Sequence, residues 1–227
     1  MNLPNAITVG RIALTPLIAW LPFTASWSTR LIAFVLLLVA AITDYWDGHL
    51  ARKRNLVTDL GRLLDPLADK LLLLATLVPM YLLQRHASLL VSNDSVSQAG
   101  GDPVPFLFAT PVGHVSLPLW IVLVVLGREV FMTVFRQVAA RRGLVIAAIG
   151  PAKLKTVFQI VWMGSAYFWF FAHTLADHRG WEGHGAWRIF AQFNGILGVV
   201  SMSAAVLLTV YSLWLYMRRY GMRVVRA

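Results

Sequence analysis

Long apolar stretches separated by short polar connections make up most of this chain. A helix needs about 20 apolar residues to cross a hydrocarbon core about 30 Å thick. The two-residue alternation of a membrane β-barrel is absent, and otherwise only helices satisfy the backbone in lipid. The pattern therefore predicts an all-α membrane protein, a single domain over 1–227 with six transmembrane helices and a short N-terminal interfacial segment. The six helices are expected at about 9–26, 31–51, 63–84, 115–139, 154–176 and 191–217.

Two connections interrupt the helical pattern. Segment 85–114 contains the turn-forming run from Gly100 to Pro103, so we expect a loop there, outside the cytoplasm. Segment 177–188 mixes charged residues, His and Trp, which is typical of chain at the lipid headgroups. Three histidines in or near it match no metal-ligand spacing and are interpreted as solvated or interfacial: His173, His178 and His184.

The chain is basic, with 20 Lys and Arg against 10 Asp and Glu and a net charge of +10. Nucleic acid is not an expected partner, because the cations lie neither on a soluble domain nor beside an aromatic platform that binds bases. Sixteen of the 20 fall near the two termini, the connection between helices 2 and 3, and the connection between helices 4 and 5. The positive-inside bias therefore places both termini and these connections in the cytoplasm.

Acidic residues are concentrated at the edges of the second and third apolar stretches. Charge beside hydrocarbon is costly and is usually functional. Residues three or four apart share a helix face, so each pair forms half of a site, and the connection 53–62 is long enough for a turn that joins the halves. Clustered carboxylates repel one another, and a pair of hard divalent cations would relieve that repulsion. The four residues are Asp44, Asp47, Asp65 and Asp69.

The neighbouring residues suit a phosphate-bearing ligand. Gly48 and Gly61 allow close approach to the helix backbone, and Arg52 offers a guanidinium fork to a phosphate oxygen. The alternative interpretation is that the aspartates are solvated helix caps paired with Arg52, Lys53 and Arg62. That alternative accounts for any single aspartate but not for the combined spacing of four carboxylates, two glycines, an alanine and an arginine.

This segment resembles the signature of the CDP-alcohol phosphatidyltransferases, D-x2-D-G-x2-A-R-x8-G-x3-D-x3-D. The resemblance implies a six-helix membrane enzyme, commonly a homodimer, in a bacterial inner membrane with its active site on the cytoplasmic side. Every fixed position of the signature is met, by Asp44, Asp47, Gly48, Ala51, Arg52, Gly61, Asp65 and Asp69.

The same resemblance implies the roles of these residues. The four aspartates are expected to bind Mg²⁺ or Mn²⁺, two ions per site, with Asp69 also the general base. Paired metals suit an alcohol attacking a diphosphate, because they stabilise the attacking and leaving oxygens. An N-terminal segment is expected to close over the nucleotide, although capping and anchoring explain its polar residues almost as well. The expected contacts of the CDP-linked lipid are Asn5, Thr8, Gly48, Ala51, Arg52, Thr58 and Gly61.

Further motifs resemble the branch of the family that makes phosphatidylglycerophosphate from CDP-diacylglycerol and glycerol 3-phosphate. They are 3–11, Gly127-Arg128-Glu129 followed by Arg136, and 153–156. Glycerol 3-phosphate carries a dianion, and Glu129 would orient one of the cations that bind it. The alternative is that these cations only anchor helix ends to anionic lipid headgroups. The cations expected to bind the acceptor phosphate are Arg128, Arg136, Lys153 and Lys155.

Other acceptors and other classes of protein remain open at this point. Pro151-Ala152 stand where relatives usually have Gly before the first lysine of the helix-5 motif, which leaves inositol phosphate or phosphatidylglycerol as conceivable acceptors. A divalent-ion transporter would place its carboxylates near the bilayer midplane and show repeated halves, and this chain has no internal repeat. A nucleotide-binding module without catalysis would not need Asp69.

Overall fold

The computed structural model describes residues 3–53, 59–91, 108–144, 146–147, 150–222 and 224, without the side chains of 3–4, 45, 47–53, 59–60, 62–63 and 86–91. Six long α-helices occupy most of this part of the chain, and the predicted helical class is confirmed. A 3₁₀ turn, Leu21–Phe23, follows the first helix, and a π-helical turn, Met217–Gly221, follows the last. The helices are α1 Leu3–Trp20, α2 Trp27–Lys53, α3 Asp59–Val91, α4 Leu119–Arg141, α5 Gly150–Arg179 and α6 Gly185–Tyr216.

A small antiparallel hairpin corrects the prediction around residues 85–115. Helix α3 continues to Val91, inside the predicted loop. Strand β1, Phe108–Thr110, pairs with β2, Gly113–Val115. Helix α4 therefore begins at Leu119 rather than at 115, after Pro118 in extended conformation. Strands of three residues are too short to give a readable alternation of polar and apolar positions.

The N-terminal residues also differ from the prediction. Helix α1 is continuous from Leu3 to Trp20, so the described residues show no interfacial segment separate from the first helix. Asn5, Thr8 and Arg11 are all buried. Their polar groups are therefore held inside the helix bundle.

Contacts between α1, α3 and α5 show that these helices run in one direction. Thr8 of α1 contacts Asp65 of α3. Further along, the hydroxyl of Tyr167 in α5 is shared between the carbonyl oxygens of Ile18 in α1 (3.2 Å) and Ala75 in α3 (3.1 Å). The N-terminal halves of α1 and α3 therefore lie together at one end of the bundle, which we call the site end.

The remaining helices return to the site end. Arg128 and Arg136 of α4 contact Ser212 and Tyr216 of α6, so the C-terminal halves of α4 and α6 lie side by side. Lys155, in the first turns of α5, pairs with Glu129 of α4. The site end thus gathers the beginnings of α1, α3 and α5 and the ends of α2, α4 and α6.

The opposite end is closed by the hairpin. Gln84 of α3 exchanges two hydrogen bonds with the backbone of Leu117, of 3.0 and 2.5 Å. Strand β1 packs directly on α6, where a Cβ atom on Gly195 would collide with the β1 backbone and one on Gly198 with the ring of Phe108. The two glycines therefore permit the close approach of hairpin and helix.

Four segments of the described chain are long and apolar enough to cross a membrane, by length and composition. Helix α4 is not among them because it carries Arg128, Glu129 and Arg136. Helix α5 is not among them because polar residues lower its mean hydropathy, chiefly Lys153, Lys155, Gln159 and His173. The coarse prediction of an all-α membrane protein agrees with this finding. The four segments are Asn5–Phe23, Trp27–Asp44, Leu64–Arg85 and Gly185–Gly221.

Candidate active site

Three polar residues form a buried stripe on the N-terminal half of α1. Asn5, Thr8 and Arg11 follow one another at intervals of three, so they share a helix face. Thr8 Oγ1 donates a hydrogen bond of 2.9 Å to the carboxylate of Asp65 in α3. Polar groups are buried at low cost only when they are hydrogen-bonded. The stripe therefore sets the position of α1 against the acidic segment.

Arg11 joins the two halves of the acidic segment. Its Nη1 atom forms an ion pair with Asp44 of α2 and lies 3.2 Å from Oδ1 of Asp69 in α3. The side chain of Arg11 is 1% exposed, whereas those of Asp44 and Asp69 are 43% and 59% exposed. A buried cation thus brings together one carboxylate from each predicted half-site and leaves both carboxylates open to a ligand.

Other positions of the acidic signature lie at the end of α2 and the start of α3. Gly61 is buried in the first turn of α3. The prediction for Thr58 lies outside the described residues. The last turns of α2 contain the backbones of four further signature positions, whose side chains also lie outside the described part: Asp47, Gly48, Ala51 and Arg52.

The donor set fits a hard divalent cation in kind. Asp44 and Asp69 offer carboxylate oxygens, which Mg²⁺ and Mn²⁺ prefer. Among the side chains that the structure describes, no group of three or more His, Cys, Asp and Glu is arranged to hold a metal ion. Asp65 is turned toward Thr8. Asp44 and Asp69 are therefore the two carboxylates that the described geometry offers jointly to a cation.

A second charged cluster combines residues of α4, α5 and α6. Glu129 Oε1 accepts a hydrogen bond of 2.9 Å from Arg128 and forms an ion pair with Lys155 Nζ. Arg128 also donates a hydrogen bond of 3.1 Å to Ser212 Oγ. Arg128 and Lys155 are buried, so two buried cations share one carboxylate. The cluster keeps an excess positive charge that suits an anionic ligand.

One cavity connects the carboxylates with this cationic cluster. Asp44 and Asp69 line it from α2 and α3, and Glu129 and Lys155 line it from α4 and α5. A ligand in this cavity can contact acidic and basic groups at the same time. Apolar side chains supply much of the remaining wall: Leu37, Ala41, Leu72, Leu73, Ile160 and Met163.

The other two predicted anion-binding residues lie outside this wall. Arg136 is exposed, donates a hydrogen bond of 3.2 Å to the Tyr216 hydroxyl, and lies over the Tyr216 ring at 5.6 Å from its centroid. Lys153 is exposed in the first turn of α5. Neither belongs to the described residues that line the cavity. Of the four predicted cations, Lys155 lines the cavity and Arg128 is linked to it through Glu129.

For three residues at this site, the sequence predicted no role in the site. Arg11 follows the predicted Thr8 by three positions, and Gln159 follows the predicted Lys155 by four. Helical spacing from a residue already singled out is therefore the signal that could have found them. Ser212 offered no such signal, because a serine in an apolar helix ordinarily bonds its own backbone.

The sequence is similar to a known protein family and to several of its members. The sequence matches the family model described as CDP-alcohol phosphatidyltransferase over residues 1–211. It is 36% identical over 174 residues to the CDP-diacylglycerol--glycerol-3-phosphate 3-phosphatidyltransferase of Bacillus subtilis, covering 70% of this chain and 73% of that protein. It is 31% identical over 159 residues to the Rickettsia typhi protein of the same name, covering 70% and 72%. It is 28% identical over 220 residues to the cardiolipin synthase (CMP-forming) of Streptomyces coelicolor, covering 91% and 85%.

Proposed function

Because the chain belongs to the CDP-alcohol phosphatidyltransferase family, we propose that it transfers the phosphatidyl group of CDP-diacylglycerol to a hydroxyl of glycerol 3-phosphate, giving phosphatidylglycerophosphate and CMP. The observation that carries this proposal is the single cavity in which Asp44 and Asp69 face Glu129 and Lys155. The relatives from B. subtilis and R. typhi are named for this reaction. The acidic half suits the cations that accompany a diphosphate, and the basic half suits an acceptor phosphate.

The acidic half is proposed to hold the CDP-linked lipid. Mg²⁺ or Mn²⁺, two ions per site, would neutralise charge on the diphosphate and on the departing CMP. Thr8 and Arg11 fix the carboxylates of α2 and α3 in place. The proposed metal ligands are Asp44, Asp47, Asp65 and Asp69. The proposed contacts of the nucleotide are Asn5, Thr8, Gly48, Ala51, Arg52, Thr58 and Gly61.

Asp69 is proposed to act as the general base. Its carboxylate lines the cavity and is more than half exposed, so an acceptor hydroxyl can reach it. As the proton passes from the hydroxyl to Asp69, the hydroxyl oxygen bonds to the phosphorus of the phosphatidyl group and the bond from that phosphorus to the CMP oxygen breaks. The step needs no covalent enzyme intermediate.

The basic half is proposed to bind the acceptor phosphate. Lys155 is its main contact, because it is the buried cation that lines the cavity. Glu129 orients both Lys155 and Arg128 without cancelling their combined charge. Arg136 and Lys153 are exposed and would attract the dianion from solution.

All six helices are proposed to cross the membrane. Helix α4 buries Arg128 but exposes Leu123, Val130 and Val134, so its outward face is apolar. Helix α5 exposes Val157 and other apolar side chains in the same way. Helices that alternate in direction suit six consecutive spans.

The distribution of cations supports an orientation for these spans. Among the described residues, the site end carries Arg11, Arg136, Arg141, Arg142, Lys153 and Lys155, and the positive-inside bias assigns it to the cytoplasm. From the family resemblance we also propose that the protein lies in a bacterial inner membrane, in contact with its lipids, and forms a homodimer.

Phosphatidylglycerol is the second candidate acceptor. The S. coelicolor relative that matches 91% of this chain is named a cardiolipin synthase. The buried Lys155 favours glycerol 3-phosphate, because its charge matches a phosphate dianion better than the neutral glycerol end of phosphatidylglycerol. Inositol phosphate, left open by Pro151-Ala152, would use the same cations.

An acceptor screen tests the proposal. The full chain in lipid nanodiscs is given CDP-diacylglycerol and Mg²⁺, and CMP release is measured with glycerol 3-phosphate, phosphatidylglycerol or inositol phosphate. Glycerol 3-phosphate should support the fastest release, and release supported by another acceptor alone contradicts the proposal. Asp69→Asn should lower the rate by about 100-fold or more, whereas Asp177→Asn, exposed at the opposite end, should leave it unchanged.

A further inference from the structure

The cavity contains one polar side chain that the proposed function does not use. Gln159 follows Lys155 by one turn of α5, is 5% exposed, and lines the cavity. Among the described residues, its Nε2 atom is buried and has no hydrogen-bond partner. A buried donor left without a partner is costly, and such atoms call for a functional explanation.

The position of Gln159 separates it from the other buried atoms of this kind. Within the described part of the chain, three more buried side-chain nitrogen atoms lack a partner, on Arg11, Arg128 and Trp162. None of these three residues lines the cavity. Both guanidinium groups are held through their other nitrogen atoms. Gln159 is thus the residue whose unpartnered donor belongs to the wall of the substrate space.

The depth of Gln159 in the cavity indicates what it can contact. With a helical rise of about 1.5 Å per residue, it lies about 6 Å along α5 from Lys155. At this depth the surrounding wall is apolar, including Leu73 of α3, one turn beyond Asp69, and Met163 of α5. A small acceptor held between Asp69 and Lys155 therefore has the Gln159 amide in the wall on its deeper side.

We infer that Gln159 is a specificity-determining residue, which donates a hydrogen bond from Nε2 to the free secondary hydroxyl of glycerol 3-phosphate. This inference rests on the proposed function and assigns the third contact of the same acceptor. Asp69 accepts the proton of the reacting primary hydroxyl, and Lys155 binds the phosphate. Gln159 binds the secondary hydroxyl, which lies between these two groups of the acceptor. The site thereby selects a short polyol phosphate over an alcohol phosphate that lacks the middle hydroxyl.

The test compares two acceptors in one enzyme preparation. CMP release by the full chain in nanodiscs is measured with glycerol 3-phosphate and with 3-hydroxypropyl phosphate, which differs by the loss of the secondary hydroxyl. The kcat/KM ratio of the two acceptors is determined for the parent, for Gln159→Met, which keeps the side-chain volume, and for Gln159→Leu. Gln137→Met, on the exposed face of α4, is the matched control. A ratio within one preparation does not depend on the fraction of folded protein.

The parent and Gln137→Met should prefer glycerol 3-phosphate. Both Gln159 variants should reduce that preference by about tenfold, which corresponds to the loss of one hydrogen bond donated by a buried group. If the Gln159 variants slow both acceptors equally, or leave the ratio unchanged, the residue has only a structural role and the inference is wrong. If the parent releases no CMP with glycerol 3-phosphate but does so with phosphatidylglycerol, the proposed function fails and the inference fails with it.

Discussion

The guanidinium of Arg11 in α1 lies 3.2 Å from the carboxylate of Asp69 in α3. The same nitrogen atom is paired with Asp44 in α2. A single buried cation therefore sets the distance between two carboxylates that come from separate helices. A bound divalent cation would act on the same two groups, so we expect the stability of the bundle to depend on the occupancy of the proposed metal site.

Arg11→Met should make the stability of the protein depend on divalent cations. In EDTA the variant leaves Asp44 and Asp69 without their shared countercharge, and its Tm should fall several degrees below that of the parent. Added Mg²⁺ should close most of this gap, because the cation supplies the missing charge. Thermal unfolding in nanodiscs, with and without Mg²⁺, measures both values. An equal gap in the two conditions would show that Arg11 does not act on the carboxylates proposed to bind metal.

The two lysines at the start of α5 should differ in their effect on the acceptor. Lys155 is buried and lines the cavity, whereas Lys153 is exposed. Lys155→Met should raise the KM for glycerol 3-phosphate by about tenfold or more, because a charged hydrogen bond to the phosphate is lost. The KM for CDP-diacylglycerol should change little. Lys153→Met is the matched control and should change the acceptor KM about twofold at most. Equal effects of the two substitutions would argue for anchoring to lipid headgroups.

Glu129→Gln should weaken both the acceptor site and the fold. The change leaves Arg128 and Lys155 without the carboxylate that they share. Removing one partner of a fully buried ion pair costs about 3 kcal/mol, so a loss of up to that size is expected at this largely buried cluster. Chemical denaturation should show this loss, and the acceptor KM should rise because Lys155 is no longer oriented. Glu182→Gln, half-exposed beside His173 at the opposite end, should change neither quantity. A variant with parental stability and KM would contradict the role assigned to Glu129.

The hairpin should tolerate no side chain at its contact with α6. Gly195→Ala places a Cβ atom against the backbone of β1, and overpacking of this kind costs about 1–3 kcal/mol. Gly164→Ala in α5, where a Cβ atom meets no other group within 4 Å, should be neutral or slightly stabilising. The Tm values of the two variants test this prediction, and the acceptor KM should be unchanged in both. A Tm for Gly195→Ala equal to that of Gly164→Ala would mean that β1 does not pack against α6.

The sequence predicted the presence of six helices because long apolar runs have few alternative structures, but α1, Leu3–Trp20, begins and ends earlier than the predicted 9–26. It placed the ends of α3 and α4 less well, because strands such as Phe108–Thr110 and Gly113–Val115 are shorter than any periodic signal. It also treated Asn5 and Thr8 as parts of an interfacial segment. Their burial against α3 depends on tertiary contacts such as the hydrogen bond from Thr8 to Asp65, which no local pattern records.

The site was predictable to the extent that its residues lie close together in sequence. The spacing of Asp44, Asp47, Asp65 and Asp69 predicted one acidic cluster. The structure brings Asp44 and Asp69 together, and the side chain of Asp47 lies outside the described part of the chain. Arg11 is far from them in sequence, and only the packing of α1 brings its guanidinium between their carboxylates. The difference between Lys155 and Lys153 was not predictable for the same reason. Both carry a positive charge, and only the fold shows that Lys155 lines the cavity.

The identity of the lipid product tests the central claim most directly. Purified full chain in nanodiscs that contain CDP-diacylglycerol and phosphatidylglycerol is supplied with isotopically labelled glycerol 3-phosphate and Mg²⁺, and the lipids are analysed by mass spectrometry. Our account predicts labelled phosphatidylglycerophosphate in an amount equal to the CMP released. Unlabelled cardiolipin formed with CMP, while the label stays in the aqueous phase, would contradict it.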